Sequence, residues 1–89
     1  MAAQTFQVAL HPVAGLQCVI VNVDPASVST PEMQKRTIGY LAPRFQGKQL
    51  VLMYLDLARR PVFLGPGHIV GALQGKGFSE FRWQKAVLQ

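Results

Sequence analysis

Two short runs, residues 16–23 and 50–55, carry apolar side chains at nearly every position. Successive side chains of a strand point to opposite faces, so such a run leaves hydrocarbon in water unless both faces of its sheet are covered. In the first run Leu16, Cys18 and Ile20 point one way, and Val19, Val21 and Val23 the other. The second, Leu50-Val51-Leu52-Met53-Tyr54-Leu55, is six residues long, which suits an interior strand better than a helix. The fold must therefore place two central strands in one sheet and find cover for both sides of them.

The remaining pattern supplies partners and cover. Residues 4–11 alternate, with Phe6, Val8 and Leu10 on one face and Gln7 and Ala9 on the other, as in a half-buried strand. Pro12-Val13-Ala14-Gly15 reads as the turn of a hairpin joining this strand to residues 16–23. After a loop at 24–29, Thr30-Pro31-Glu32 marks a helix start: a hydroxyl cap, a proline at the first helical position and an acid near the positive end of the dipole. Met33, Thr37, Ile38, Leu41 and then Phe45 share one face of that helix, with Gln34, Lys35 and Arg36 opposite. Gly39 weakens the helix interior by about 1 kcal/mol relative to alanine, which predicts close packing at that point. Pro43 kinks or ends the helix, and Gly47 closes the segment.

Beyond the second apolar run, residues 56–60 form a turn. Pro61-Val62-Phe63-Leu64 is a short strand whose proline places it at an edge or makes Pro61 its first residue. Gly65-Pro66-Gly67 breaks the strand, residues 68–74 fit a short helix, and Gly75-Lys76-Gly77 ends it. Residues 79–88 read as a last strand with Phe81, Trp83 and Val87 inward and Arg82 and Gln84 outward. The order is β-β-α-β-β-α-β without an internal repeat, a single α+β domain over residues 1–89. Its sheet is expected to be mostly antiparallel, with both helices packed on one face.

Composition bounds the function. Only 15% of residues are charged against 49% hydrophobic, so few ionic groups cover a small domain's large surface. The charges are uneven. Before Lys35 stand only Asp24 and Glu32, for −2; from Lys35 onward nine Lys and Arg face Asp56 and Glu80, for +7, and the total is +5. Cys18 is the sole cysteine, which excludes an intrachain disulfide and suits a small core residue in a reducing cytoplasm. No apolar run approaches bilayer length and the first 23 residues lack basic groups, so neither membrane insertion nor a leader is expected.

Candidate chemistry centres on Leu64-Gly65-Pro66-Gly67-His68-Ile69-Val70-Gly71. Glycines between a strand and a helix can bring backbone N–H groups to a phosphate. The dinucleotide fingerprint is missed because the third glycine falls one position late, and residues 71–76 miss the phosphate loop by one. Turn chemistry is therefore the favoured reading of these glycines. The corresponding anion site would use Arg59, Arg60, Gly65, Gly67, His68 and Lys76. An enzyme reading would pair His68 as acid or base with Glu80 as its orienting carboxylate. Neither histidine has metal-ligand spacing, and no cofactor motif occurs. A nucleic-acid reading uses Lys35, Arg36, Arg44 and Lys48 beside Tyr54, Phe63, Phe81 and Trp83 as stacking aromatics, without the consensus of the common RNA-binding sheet domain.

The leading expectation is a non-enzymatic interaction domain that binds a protein partner, most simply a second copy in a two-fold dimer through a sheet face or edge. Nucleic acid is the less favoured partner. The dimer rests on a geometric premise: two helices on one face leave the other side of the inner strands open. One helix on each face would instead cover both and leave a monomer.

Overall fold

The two apolar runs lie side by side at the centre of a five-stranded sheet. The computed structural model describes residues 4–13 and 15–88; Ala14 of the expected turn, and residues 1–3 and 89 of the expected domain, lie outside the described residues. The strands are β1 (Gln4–Leu10), β2 (Cys18–Asn22), β3 (Gln49–Leu55), β4 (Pro61–Leu64) and β5 (Gln84–Leu88), in the spatial order β4-β3-β2-β1-β5. Helix α1 (Pro31–Leu41) joins β2 to β3, and α2 (Gly67–Leu73) lies between β4 and β5. The fold is α+β and the sheet mostly antiparallel: β2 and β3 pair parallel, and the other three pairings are antiparallel.

The helices do not share a face, which corrects the expected layering. Val19, Val21 and Val23 pack with Leu41 of α1 and Leu52 of β3. Cys18 and Ile20, on the other side of β2, pack with Ile69 and Leu73 of α2 and with Val51 and Met53. Strand order supplies the reason. A parallel β2–β3 pair needs a crossover, and α1 takes it across one face. Since β4 and β5 are opposite edges, the chain between them must cross the whole sheet, and the face free of α1 is the one available. All of Cys18, Val19, Ile20, Val21, Val51, Leu52 and Met53 are buried as a result.

Local chemistry sets the element ends. Thr30 Oγ1 accepts a hydrogen bond from Met33 N at 3.1 Å with Pro31 at the first helical position, so α1 begins as its sequence predicts. A 3-10 turn at Ala42–Phe45 follows, and the chain then reverses through Gln46 and Gly47, whose φ is 83°, with Lys48 N donating to the Phe45 carbonyl. Only glycine takes that dihedral without strain. Gly39 departs from expectation: a Cβ there would meet nothing within 4 Å. No close packing demands it.

The last strand is shorter than expected. Phe78–Glu80 is a 3-10 turn and pairing with β1 begins only at Gln84. Phe81 is buried among His11, Phe63 and Trp83 without belonging to a strand, while Val87 is 64% exposed rather than inward.

Candidate functional site

The covering layers differ in thickness. The buried residues of α2 are Ile69 and Leu73, reinforced by Phe81 and by Phe78 stacked on Trp83 at 4.9 Å. On the opposite face Leu41 is the buried residue of α1, while Met33 and Ile38 of the same apolar stripe remain 37% and 43% exposed. Helix α1 is therefore a narrow cover with a groove on each side. The first, of about 280 Å³, is lined by Ile38 and Ala42 of α1, Leu50 and Leu52 of β3, and Leu64 and Pro66 at the β4 edge, with Lys48 and Gln49 among its polar members. The second, of about 230 Å³, lies between α1 and β1, where Phe6, Thr37 and Tyr40 meet Arg36.

The four basic residues proposed for nucleic acid are spread around α1. Lys35, Arg36, Arg44 and Lys48 are exposed. Arg36 lines the groove on the β1 side and Lys48 the groove on the β4 side. The Arg44 guanidinium lies 3.8 Å above the Tyr40 ring centroid and donates to the Tyr40 carbonyl. The aromatics expected to stack bases are employed elsewhere. Phe63 and Phe81 are buried in the core on the α2 side, and Trp83 stacks on Phe78 while its Nε1 donates to the Phe78 carbonyl at 2.8 Å. Tyr54 alone of the four lies on the α1 side, half-buried against the core there.

The six residues proposed for an anion divide into two groups at opposite ends of α2. Gly65, Gly67 and His68 stand at its start, where Pro66 caps without a side-chain hydrogen bond and its carbonyl accepts from Ile69 N and Val70 N. A Cβ on Gly65 would touch Val51 Cγ2 and the Leu50 carbonyl at 3.6 Å, so this glycine passes close over β3. His68 is exposed. Glu80, its proposed partner, is on the far side of α2, where its Oε2 accepts from Gly77 N at 2.6 Å. The five α2 residues after His68, about 8 Å of helix, and the turn that follows lie between the two.

Arg59, Arg60 and Lys76 form the second group. Helix α2 runs back along β4, which brings its C-terminal turn to the start of that strand. There Arg60, Pro61, Gln74, Gly75, Lys76 and Gly77 line a pocket of about 290 Å³. Two turns shape it. Gln74 (φ −59°, ψ 137°) and Gly75 (φ 85°) form a type II turn closed by Lys76 N donating to the Leu73 carbonyl at 3.1 Å. Across from it, Arg59 N donates to the Asp56 carbonyl at 2.9 Å, and Asp56 Oδ1 accepts from Ala58 N and Arg60 N. Arg59 itself has φ 63°, the left-handed region where hairpin loops of this type usually place glycine. The nearness of Arg60 to Lys76, sixteen positions apart, follows from α2 returning along β4, a path that the sequence does not specify.

Among the described residues no group of three or more His, Cys, Asp or Glu side chains could hold a metal ion, and no helix is long and apolar enough to cross a membrane. Cys18 is buried as a core residue. No protein-family model, curated protein or solved structure matches the chain.

Proposed function

We propose that this chain is a non-enzymatic interaction domain that docks a protein on the α1 face, most simply a second copy of itself. The observation supporting it is the thin cover: Ile38 stays 43% exposed above a groove walled by Ala42, Leu50, Leu52, Leu64 and Pro66. Leu10 of β1 is exposed and in register with buried Val19, which extends the apolar row across the same face. A two-fold contact sets one patch against its own copy, so Ile38 of one protomer can seat against the Leu64–Pro66 rim of the other. The inner-strand side chains Val19, Val21 and Val23 contribute nothing here, because α1 already buries them.

The magnitudes favour a weak assembly. Finishing the burial of a half-exposed aliphatic side chain contributes about 1 kcal/mol, half the value of a full transfer. A handful of such side chains from each copy totals about 8–10 kcal/mol, comparable with an association cost of about 4–15 kcal/mol. Two chains of charge +5 also repel. Salt screens that repulsion, so self-association strengthens as ionic strength rises, whereas binding to nucleic acid weakens. Sedimentation velocity at tens of micromolar protein, in low and high salt, tests this. A dimer fraction that grows with salt and is lost in Ile38→Glu is expected; monomer mass alone in both salts would refute self-association.

A further inference from the structure

The pocket between the β3–β4 turn and the α2 C-terminal turn has no part in that docking face, and its chemistry is different. We propose that it is a binding site for a phosphate group, held by Arg60 and Lys76. Both residues line the pocket, and neither side chain makes a hydrogen bond or ion pair with another described residue, so both charges remain for a ligand. An arginine fork and a lysine point charge together match a phosphate dianion, the fork satisfying two oxygens and the ammonium the remaining charge. Gln74 offers an amide at the same wall, and Gly75 and Gly77 leave it without side-chain bulk.

The acidic groups nearby are already committed. Asp56 Oδ1 accepts from two backbone N–H groups of its own turn, and Glu80 Oε2 accepts from Gly77 N at 2.6 Å. With Arg59 adjoining, three cations stand against these two tethered carboxylates. Arg59 adds an observation of another kind. A left-handed φ of 63° costs an arginine about 1 kcal/mol or more where glycine would sit without strain. A charge kept at that cost, next to a pocket already holding two, is explained by an anionic ligand. The pocket is concave and confined to one corner of the fold, while Lys35, Arg36, Arg44 and Lys48 lie around α1 on the opposite face. That layout fits one phosphate group and not the continuous track a nucleic-acid backbone requires. A volume of about 290 Å³ exceeds a bare phosphate and leaves room for a small organic group bonded to it.

The test is a titration of the ¹⁵N-labelled protein by NMR with inorganic phosphate, phenyl phosphate and, as control, chloride at matched ionic strength. Saturable shifts at the amides of Arg59, Arg60, Gly75, Lys76 and Gly77 are expected with phosphate and absent with chloride. Tighter binding of phenyl phosphate assigns the site to a phosphomonoester; equal affinity assigns it to free phosphate. Arg60→Gln and Lys76→Gln should each weaken binding about tenfold, the effect of one lost charge-assisted hydrogen bond. Arg59→Gly should weaken it while raising the melting temperature, a combination that a purely structural arginine would not give. Shifts that rise linearly and scatter over Lys35, Arg36 and Lys85 would overturn the site. So would unchanged affinity in both glutamine variants, or binding of a single-stranded oligonucleotide without any response to either phosphate.

Discussion

Truncating Leu41 and Ile38 separately measures how α1 is held. Both belong to the apolar stripe of one helix, three positions apart, yet Leu41 is fully buried and Ile38 is 43% exposed. Leu41→Ala removes a side chain seated among Val19, Val21, Val28 and Leu52 and leaves a cavity there, at a cost of about 2–5 kcal/mol. A domain of 89 residues has about 4–13 kcal/mol of total stability, so this variant should lose a substantial share of it. Ile38→Ala loses contacts on one side only. Part of even that loss, about 0.4 kcal/mol, returns through the higher helix propensity of alanine, for a net cost of about 0.5–1 kcal/mol. Urea denaturation followed by circular dichroism reads both values, and similar slopes for all three proteins would confirm that the midpoints report stability. Equal costs at low protein concentration would refute the claim that Leu41 packs more deeply on the sheet than Ile38 does. A cost for Ile38→Ala that grows with protein concentration would show a second chain covering that side chain.

Two further substitutions probe the helix itself. Thr30→Ala removes the acceptor for Met33 N and should lower the stability measured by urea by about 0.5–2 kcal/mol; an unchanged midpoint would mean that the cap is dispensable. Gly39→Ala should raise stability by about 0.5–1 kcal/mol, because the added methyl meets nothing within 4 Å and gains helix propensity; a loss on the same denaturation curve would show packing at that face.

Sequence patterning located the elements well because local chemistry decides them. The Thr30-Pro31 pair fixes the start of α1, Pro61 the start of β4, and unbroken apolar runs mark β2 and β3 as interior strands. Layering was not legible, since it depends on which strands are neighbours. Pro61 is compatible with an edge position for residues 61–64, but nothing in residues 84–88 announces the opposite edge, and that arrangement sends α2 to the face α1 leaves open. The spacing of Phe81, Trp83 and Val87 imitates a strand, but Phe81 is buried by aromatic neighbours from β4 and the β1–β2 turn instead of by a ladder. Gly39 was misread for a related reason: a glycine in a helix signals close approach only when another element is there to approach it. In the candidate sites, the basic residues were legible as a population. Their division into a corner cluster and a group around α1 required the path of α2.

Placing one helix on each face shifts the physical basis for self-association without removing it. Before the fold is considered, the inner strands are the natural source of surplus hydrocarbon, and covering them should leave a monomer. In the structure α1 spans both needs imperfectly. Its single row of deep contact through Leu41 is enough to bury β2 and β3, but too narrow to reach the β4 edge, where Leu64 and Pro66 face Ile38 across a groove. What remains for the proposed partner is a smaller patch than an uncovered sheet face would offer, which predicts a weaker and more salt-dependent contact. The pocket proposed for phosphate lies across the sheet from that groove and should respond to salt with the opposite sign, since dissolved ions screen Arg60 and Lys76 from a phosphate just as they screen one protomer from another. Ionic strength therefore separates the two proposals experimentally: conditions expected to drive two copies together are those expected to weaken phosphate binding. An assembly that instead dissolved on adding salt would have to be held by the basic surface, and the apolar groove would have no part in it.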